Sequence, residues 1–146
     1  MPAHDVREKV EQWLREWHEV VVNVTDGSLL VPALGKTALH VSVDDVLDDQ
    51  VVRVEIDGLI LMNVPVTAEL FESIGSLSNG WLFGGLVLKR EDDANDGTLA
   101  FRQTLLGDAL DKGEFELMTR IVISCAQQCE NLKARFGGRH FHDDDD

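Results

Sequence analysis

Val51-Val52-Arg53-Val54-Glu55-Ile56-Asp57-Gly58-Leu59-Ile60-Leu61-Met62-Asn63-Val64 is the stretch on which the fold class turns. Val52, Val54 and Ile56 alternate with Val51, Arg53 and Glu55, the period-two pattern of a strand with one apolar face. Asp57-Gly58 follows at once and suits a two-residue type I′ turn, whose central positions need positive φ. In the resulting antiparallel hairpin Ile56 faces Leu59, Val54 faces Leu61 and Val52 faces Asn63, while Ile60, Met62 and Val64 line the other face of the returning strand. A small antiparallel hairpin usually buries one face only, so this second apolar strip needs a cover.

Upstream, Leu39, Val41 and Val43 alternate with His40 and Ser42, which predicts another strand with one wet face. Before it, Val6, Val10, Trp13, Trp17 and Val20 recur at helical spacing, with Asp5 and Glu8 placed as a capping box and Thr25-Asp26-Gly27-Ser28 as a turn. Downstream, Thr67 caps a short helix whose inward side is Leu70, Phe71, Ile74 and Leu77, ending near Asn79-Gly80. Leu86 and Leu88, then Leu99 and Phe101, alternate on two strands joined by the polar turn 91–97. Asp111 and Glu114 repeat the capping arrangement before a long helix with Phe115, Met118, Val122, Cys125, Cys129, Leu132 and Phe136 on one seam, stopped by Gly137-Gly138. The order is helix, three strands, helix, two to three strands, long helix. Hairpins adjoining in sequence favour an α+β fold: an antiparallel sheet of five to six strands with its helices on one side. Residues 1–138 read as one domain and 139–146 as an acidic, mobile tail.

The chain has 146 residues, 27 acidic and 13 basic, for a net charge of −14. With 44% hydrophobic residues it has enough apolar surface to fold despite that charge. Phosphate backbones are bound through Lys and Arg, so the balance disfavours nucleic acid and, by the same sign, anionic membranes. The four terminal aspartates supply four of the charges. From Thr37 to Leu88 eight acidic residues face one base, Arg53, which sets the suspected strip in acidic surroundings and favours a basic or amphipathic polypeptide as partner. Two cysteines make no disulfide framework, no apolar signal core opens the chain, and stretches such as Leu59 to Met62 are too short to span a bilayer. A reducing, cytoplasmic setting is expected.

Several constellations imitate reactive sites. Asp92-x-Ala94-x-Asp96-Gly97 begins like a calcium loop, but its third position is Ala94 and its twelfth is Gln103 where a bidentate Glu is needed, so a hairpin turn accounts for it. Asp44-Asp45 and Asp48-Asp49 read as a solvated acidic loop. Cys125, Cys129, His140 and His142 would make four zinc ligands, yet both cysteines lie in the apolar seam, where a thiol packs as a small hydrophobe and its thiolate is suppressed. Ser73, Ser76, Ser78 and Ser124 lack a nucleophile-elbow context, and Gly84-Gly85 reads as a strand irregularity rather than a phosphate cradle. No catalytic residue, metal or cofactor is expected. Trp13 and Trp17 suit a binding hot spot, though they share the apolar stripe with Val10 and Leu14, so core packing is the simpler reading.

From Leu70 to Gly138 the pattern of short helix, Asn79-Gly80, Leu86-Val87-Leu88, Asp96-Gly97-Thr98-Leu99-Ala100-Phe101-Arg102, the Leu105 to Asp111 connection and Glu114-Phe115-Glu116-Leu117 opening a long helix resembles the YbjN-like domain, which is similar to the class I type III secretion chaperone fold. The resemblance implies a small, acidic, dimeric α+β domain that binds extended polypeptide segments or partner proteins, with chaperone-like or regulatory roles. Ile60, Met62, Val64, Trp13 and Trp17 are the candidate peptide-binding or dimer-interface residues. The alternative is a regulatory domain that senses a small ligand in an apolar pocket.

Overall fold

Helix α1 (Ala3–Trp17) forms where Val6, Val10 and Leu14 recur four residues apart, and all three are buried. In the computed structural model residues 2–48, 50–81, 83–92 and 94–142 are described, with the side chain of Ala33 left aside. The chain continues through β1 (Val22–Asn23), β2 (Leu29–Leu34), β3 (Thr37–Val46), β4 (Val51–Pro65), α2 (Ala68–Ser78), β5 (Gly85–Lys89), β6 (Asp96–Leu106), α3 (Lys112–Gln128), a 3-10 turn (Glu130–Leu132) and α4 (Lys133–Phe136). Among the described residues these strands make one antiparallel sheet in the order β1-β2-β3-β4-β6-β5. The helices pack on one face of it around a single large core, the expected α+β architecture.

The turn at Asp57-Gly58 does not form. β4 runs unbroken through both residues, with Asp57 opposite His40 on β3 and Gly58 opposite Leu39. Gly58 is glycine because α3 lies directly on it: a Cβ there would sit 2.8 Å from the Ala126 Cβ and 3.0 Å from the Val122 carbonyl oxygen. The hairpin turns lie elsewhere, with positive φ at Gly27 between β1 and β2, at Gly35 between β2 and β3, and at Leu47 and Asp48 between β3 and β4. The doubly apolar run has a local cause. Register shifts between Leu59 and Leu61 and again between Leu61 and Val64, with Asn63 at positive φ, bring Ile60, Leu61 and Val64 all into the helix-side core.

Other boundaries shift by capping chemistry. Pro2, not Asp5, occupies the N-cap of α1 and makes no side-chain capping bond, leaving Asp5 in the first turn. The helix ends at Trp17, so Val20 falls outside its apolar stripe and is exposed while Val21 is buried. Thr67 Oγ1 accepts from the Leu70 N–H and Asp111 Oδ1 from the Glu114 N–H, as their sequence positions suggest. The long C-terminal helix is interrupted at Cys129, where the chain tightens into the 3-10 turn before α4. Gly137 and Gly138, both at positive φ, then turn the chain back toward β4.

Replacing Gly58 by Ala forces α3 away from the sheet and is expected to cost about 1–3 kcal/mol in urea denaturation. Adding Ala126→Gly in the same chain should cost less than it does alone, a coupling that a double-mutant cycle reads directly.

Candidate functional site

The face of the sheet opposite the helices is built in rows. The paired registers align Leu30, His40, Asp57, Arg102 and Gly85 across β2, β3, β4, β6 and β5. Two residues along, Ala38, Leu59, Ala100 and Val87 form a parallel apolar row. A charged row thus borders an apolar one in which Ala38 and Ala100 flank Leu59, with Leu30 and Val87 packed against them.

Asp57 anchors the charged row. It is 1% exposed, and its carboxylate accepts from Arg102 Nε at 2.7 Å and pairs with Lys89 Nζ at 2.5 Å. Arg102 also reaches Glu55, which pairs with Arg53. Burial alone pushes the Asp57 carboxyl up, but the neighbouring His40 imidazole, the hydrogen bonds from Arg102 and Lys89 and the Lys89 charge outweigh it and hold the group well below the usual carboxylate range. The Arg102 guanidinium is correspondingly raised by its bond to Asp57. The acidic surroundings expected for this part of the chain are therefore partly neutralised, because Lys89 and Arg102 arrive from the following hairpin.

Ser28, His40 and Asp57 stand in the order of a nucleophile, base and orienting acid, but their distances describe a brace. His40 Nε2 lies 2.7 Å from Ser28 Oγ, and that hydroxyl donates to Asp26 Oδ1 at 2.5 Å. With its proton given to Asp26, the hydroxyl accepts from His40. Across the ring, Nδ1 is 3.9 Å from Asp57 Oδ2, beyond hydrogen-bond length, and the carboxylate is engaged by Arg102 and Lys89. The result ties the β1–β2 turn to the charged row.

Of the five candidate residues, Ile60 and Val64 are buried in the core and Met62 is half-buried. Ile60 and Val64 are covered by the helix-side core, and the open edge of β4 at Met62 has a cover of its own within the chain. Paired register between β3 and β4 ends at Ala38–Leu59, leaving the β4 backbone beyond it free on that side, and the segment after Gly138 takes the place. The Met62 N–H donates to the Arg139 carbonyl at 2.7 Å and the Arg139 N–H to the Met62 carbonyl at 2.9 Å. Arg139 Nε donates to Asn63 Oδ1, His140 is buried with its ring N–H on the Glu130 carbonyl, and Phe141 packs on the apolar row of Ala38, Leu59 and Ala100. Of the tail expected from residue 139, Arg139 to Phe141 are thus docked, while the four terminal aspartates lie outside the described residues. Trp13 and Trp17 are half-buried, each with its ring 5.8 Å from that of Phe115 on α3.

Cys129 is buried and its thiol is pushed up to about 11 by burial and the neighbouring Cys125, whose thiol is also raised. Among the described residues no three His, Cys, Asp or Glu converge as a metal site. Asp44 pairs with Arg53, Asp96 and Gly97 begin β6, and Asp49 and Asp93 lie outside the described residues. Gly84, at positive φ, lets the backbone pass Phe101, whose ring would be 2.8 Å from a Cβ there. Among the described residues no helix is long and apolar enough to cross a membrane.

At the far edge of the sheet β5 has β6 on one side only. The Leu86 N–H points outward to Ser78 Oγ of α2 at 3.0 Å, so the ladder's alternation turns the Leu88 backbone outward too. Phe71 shares the Ser78 side of α2, seven residues earlier, and is 51% exposed; Phe83, two residues before β5, is 49% exposed. These residues escaped the sequence reading, which assigned Phe71 to the buried side of its helix. Continuing the alternation through Asp57 would have put Arg53, Glu55 and Asp57 on one face and flagged the charged row.

Residues 4–144 match the family model described as T3SS (YopN, CesT) and YbjN peptide-binding chaperone 1. The chain belongs to this family. Among solved structures, the fold is similar to that of YbjN from E. coli, a candidate transcription regulator, with a TM-score of 0.66 at 14% identity over 88% of this chain and 91% of that one. No curated protein sequence matches this chain. The family's description names a peptide-binding chaperone; in this chain the Arg139 backbone pairs with β4 at Met62 and, among the described residues, β5 has a strand on one side only.

Asp57→Asn leaves Lys89 and Arg102 without their shared counter-ion and should cost about 2–4 kcal/mol at pH 7. A depressed folded-state pKa contributes stability above the ordinary carboxylate value, about 4, and loses it as pH falls further. The gap in urea stability between the wild-type chain and the variant should therefore be full at pH 7 and close progressively below about pH 4.

Proposed function

We propose that this domain is a non-enzymatic polypeptide-binding module, chaperone-like or regulatory, which takes up an extended segment of a partner protein. The observation that carries it is the bound segment already present: the open backbone of β4 at Met62 holds Arg139 by two main-chain hydrogen bonds, with the Phe141 side chain on the adjoining apolar row. The family's description as a peptide-binding chaperone supports the same class. Met62 then supplies the backbone contact, with Ile60 and Val64 fixing the strand from behind. A net charge of −14 favours basic or amphipathic segments at encounter. Two free, interior thiols suit a reducing cytoplasm.

We also propose a homodimer, formed through the β5 edge and its flanking Phe71 and Phe83. One observation favours the small-ligand alternative: a cavity of about 310 Å³ between α1 and α3, lined by Trp17, His18, Glu116, Thr119, Arg120 and Ile123, is large enough for a small, partly polar molecule. Burial lowers the His18 pKa, so its imidazole would meet such a ligand neutral at pH 7.

A reduced, carboxymethylated and therefore unfolded reporter protein should bind the chain, lose affinity as salt rises from about 0.05 to 0.5 M, and be recovered at unchanged mass. Cleavage of the reporter, or no binding to the folded chain, would overturn the proposal. For the dimer, Phe71→Asp with Phe83→Asp should give a monomer in sedimentation equilibrium with an unchanged circular dichroism spectrum, both side chains being half exposed. A wild-type chain that sediments as a monomer rejects the dimer outright.

A further inference from the structure

We infer that the β4 edge at Met62 and the apolar row beside it form a polypeptide site that the chain's own Arg139–Phe141 fills. Its occupant in trans is an extended partner segment with an aromatic side chain two residues beyond the one pairing with Met62, followed by basic residues. This deepens the proposed polypeptide binding and rests on it.

The internal occupant supplies the template. Arg139 pairs with Met62 through both backbone groups, and in an extended chain the side chain two positions on returns to the same face. There Phe141 meets a row whose alanines, Ala38 and Ala100, leave room for a ring between Leu59, Val87 and Leu30. The residue between them, His140, points away and is held by the Glu130 carbonyl, so the middle position faces the domain's own edge. The segment reaches this place through a passage that needs glycine: Gly138 lies where a Cβ would be 2.7 Å from the Met62 carbonyl oxygen. A cavity of about 300 Å³ opens beside Arg139, bordered by Asn63, Lys89, Asp96 and Thr98.

The charge of the flanking sequence says which occupant is favoured. Directly after Phe141-His142 come four aspartates, in a chain that is already strongly acidic without them. Although Lys89 and Arg102 stand in the neighbouring row, the domain's net acidity works against the internal segment and draws a partner segment with Lys or Arg at those positions. The site is thus filled by a sequence with the right shape and the wrong charge, a combination that keeps the edge of β4 covered yet open to exchange.

The test uses the full chain and a labelled peptide, Gly-Gly-Arg-His-Phe-His-Lys-Lys, that copies residues 137–142 and replaces the aspartates by lysine. In fluorescence anisotropy the Phe141→Ala chain should bind it at least tenfold more tightly than the wild-type chain, and the same peptide with Ala for Phe should bind neither. Equal affinity for both chains would place the peptide elsewhere, overturning this site while leaving polypeptide binding intact. No binding to a folded Phe141→Ala chain would overturn the site as well, and the unfolded-reporter measurement then decides separately whether polypeptide binding itself fails. Should Phe141→Ala not fold, the wild-type chain labelled with fluorophenylalanine answers the question. Saturating peptide should move one ¹⁹F resonance to the position of free fluorophenylalanine, and a spectrum unchanged while peptide is bound rejects displacement.

Discussion

The contact of α3 with the bare backbone of Gly58 sets the spacing between the helix layer and the sheet. Ala126 and Val122 come as close as a helix can to a strand, closer than any side chain at 58 would permit. Because Gly58 lies on the long central strand β4, which pairs with β3 on one side and β6 on the other, that single approach seats α3 over the middle of the sheet. Phe115 is then brought under Trp13 and Trp17 of α1, so the two helices share one packed aromatic contact. Here a missing side chain, rather than a large one, positions the core.

The neighbouring residue does the opposite work on the opposite face. Side chains alternate along a strand, so when position 58 faces α3, position 57 must face away from it. A carboxylate at the centre of a broad sheet is shielded from water by the strands around it and is tolerable only if it is paired. Arg102 from β6, Lys89 from β5 and His40 from β3 converge on Asp57, which makes the pairing also a fastening of strands distant in sequence. Such a group contributes specificity of register as well as stability, since sliding β6 by two residues would set Asp57 opposite Ala100 or Thr104, neither of which carries a counter-charge.

The same dipeptide explains what could and could not be read from the chain. Asp-Gly between two apolar runs is a strong hairpin signal because its local chemistry is right, yet local chemistry is silent about a helix arriving from seventy residues downstream. Features governed by contacts within a few residues were legible: the Thr67 and Asp111 caps, the β5–β6 alternation, the Gly137-Gly138 stop. The short β1 and Pro-containing β2 lacked a clean alternation and escaped notice, and the break at Cys129 falls inside a seam whose periodicity continues through it. For the site, the need to cover the Ile60, Met62 and Val64 strip was legible, and the helix-side core meets it for Ile60 and Val64, whereas the docking of Arg139 to Phe141 on the open edge at Met62 was not. Phe141 sits in a polar, glycine-led stretch whose composition suggests no docking at all.

The way that segment is held has its own energetic logic. Two main-chain hydrogen bonds contribute about 1 kcal/mol each after water is accounted for, and a partly covered phenylalanine adds something comparable. Fixing the backbone from Gly137 to Phe141 costs about 1–2 kcal/mol per residue, reduced where the glycine turn and His140 already constrain the chain. With the Arg139–Asn63 and His140–Glu130 hydrogen bonds added, the gain approaches that cost without far exceeding it. A segment so balanced covers an open strand edge most of the time without sealing it, and small changes on either side, four aspartates on one and a few lysines on the other, are enough to decide which chain lies along β4.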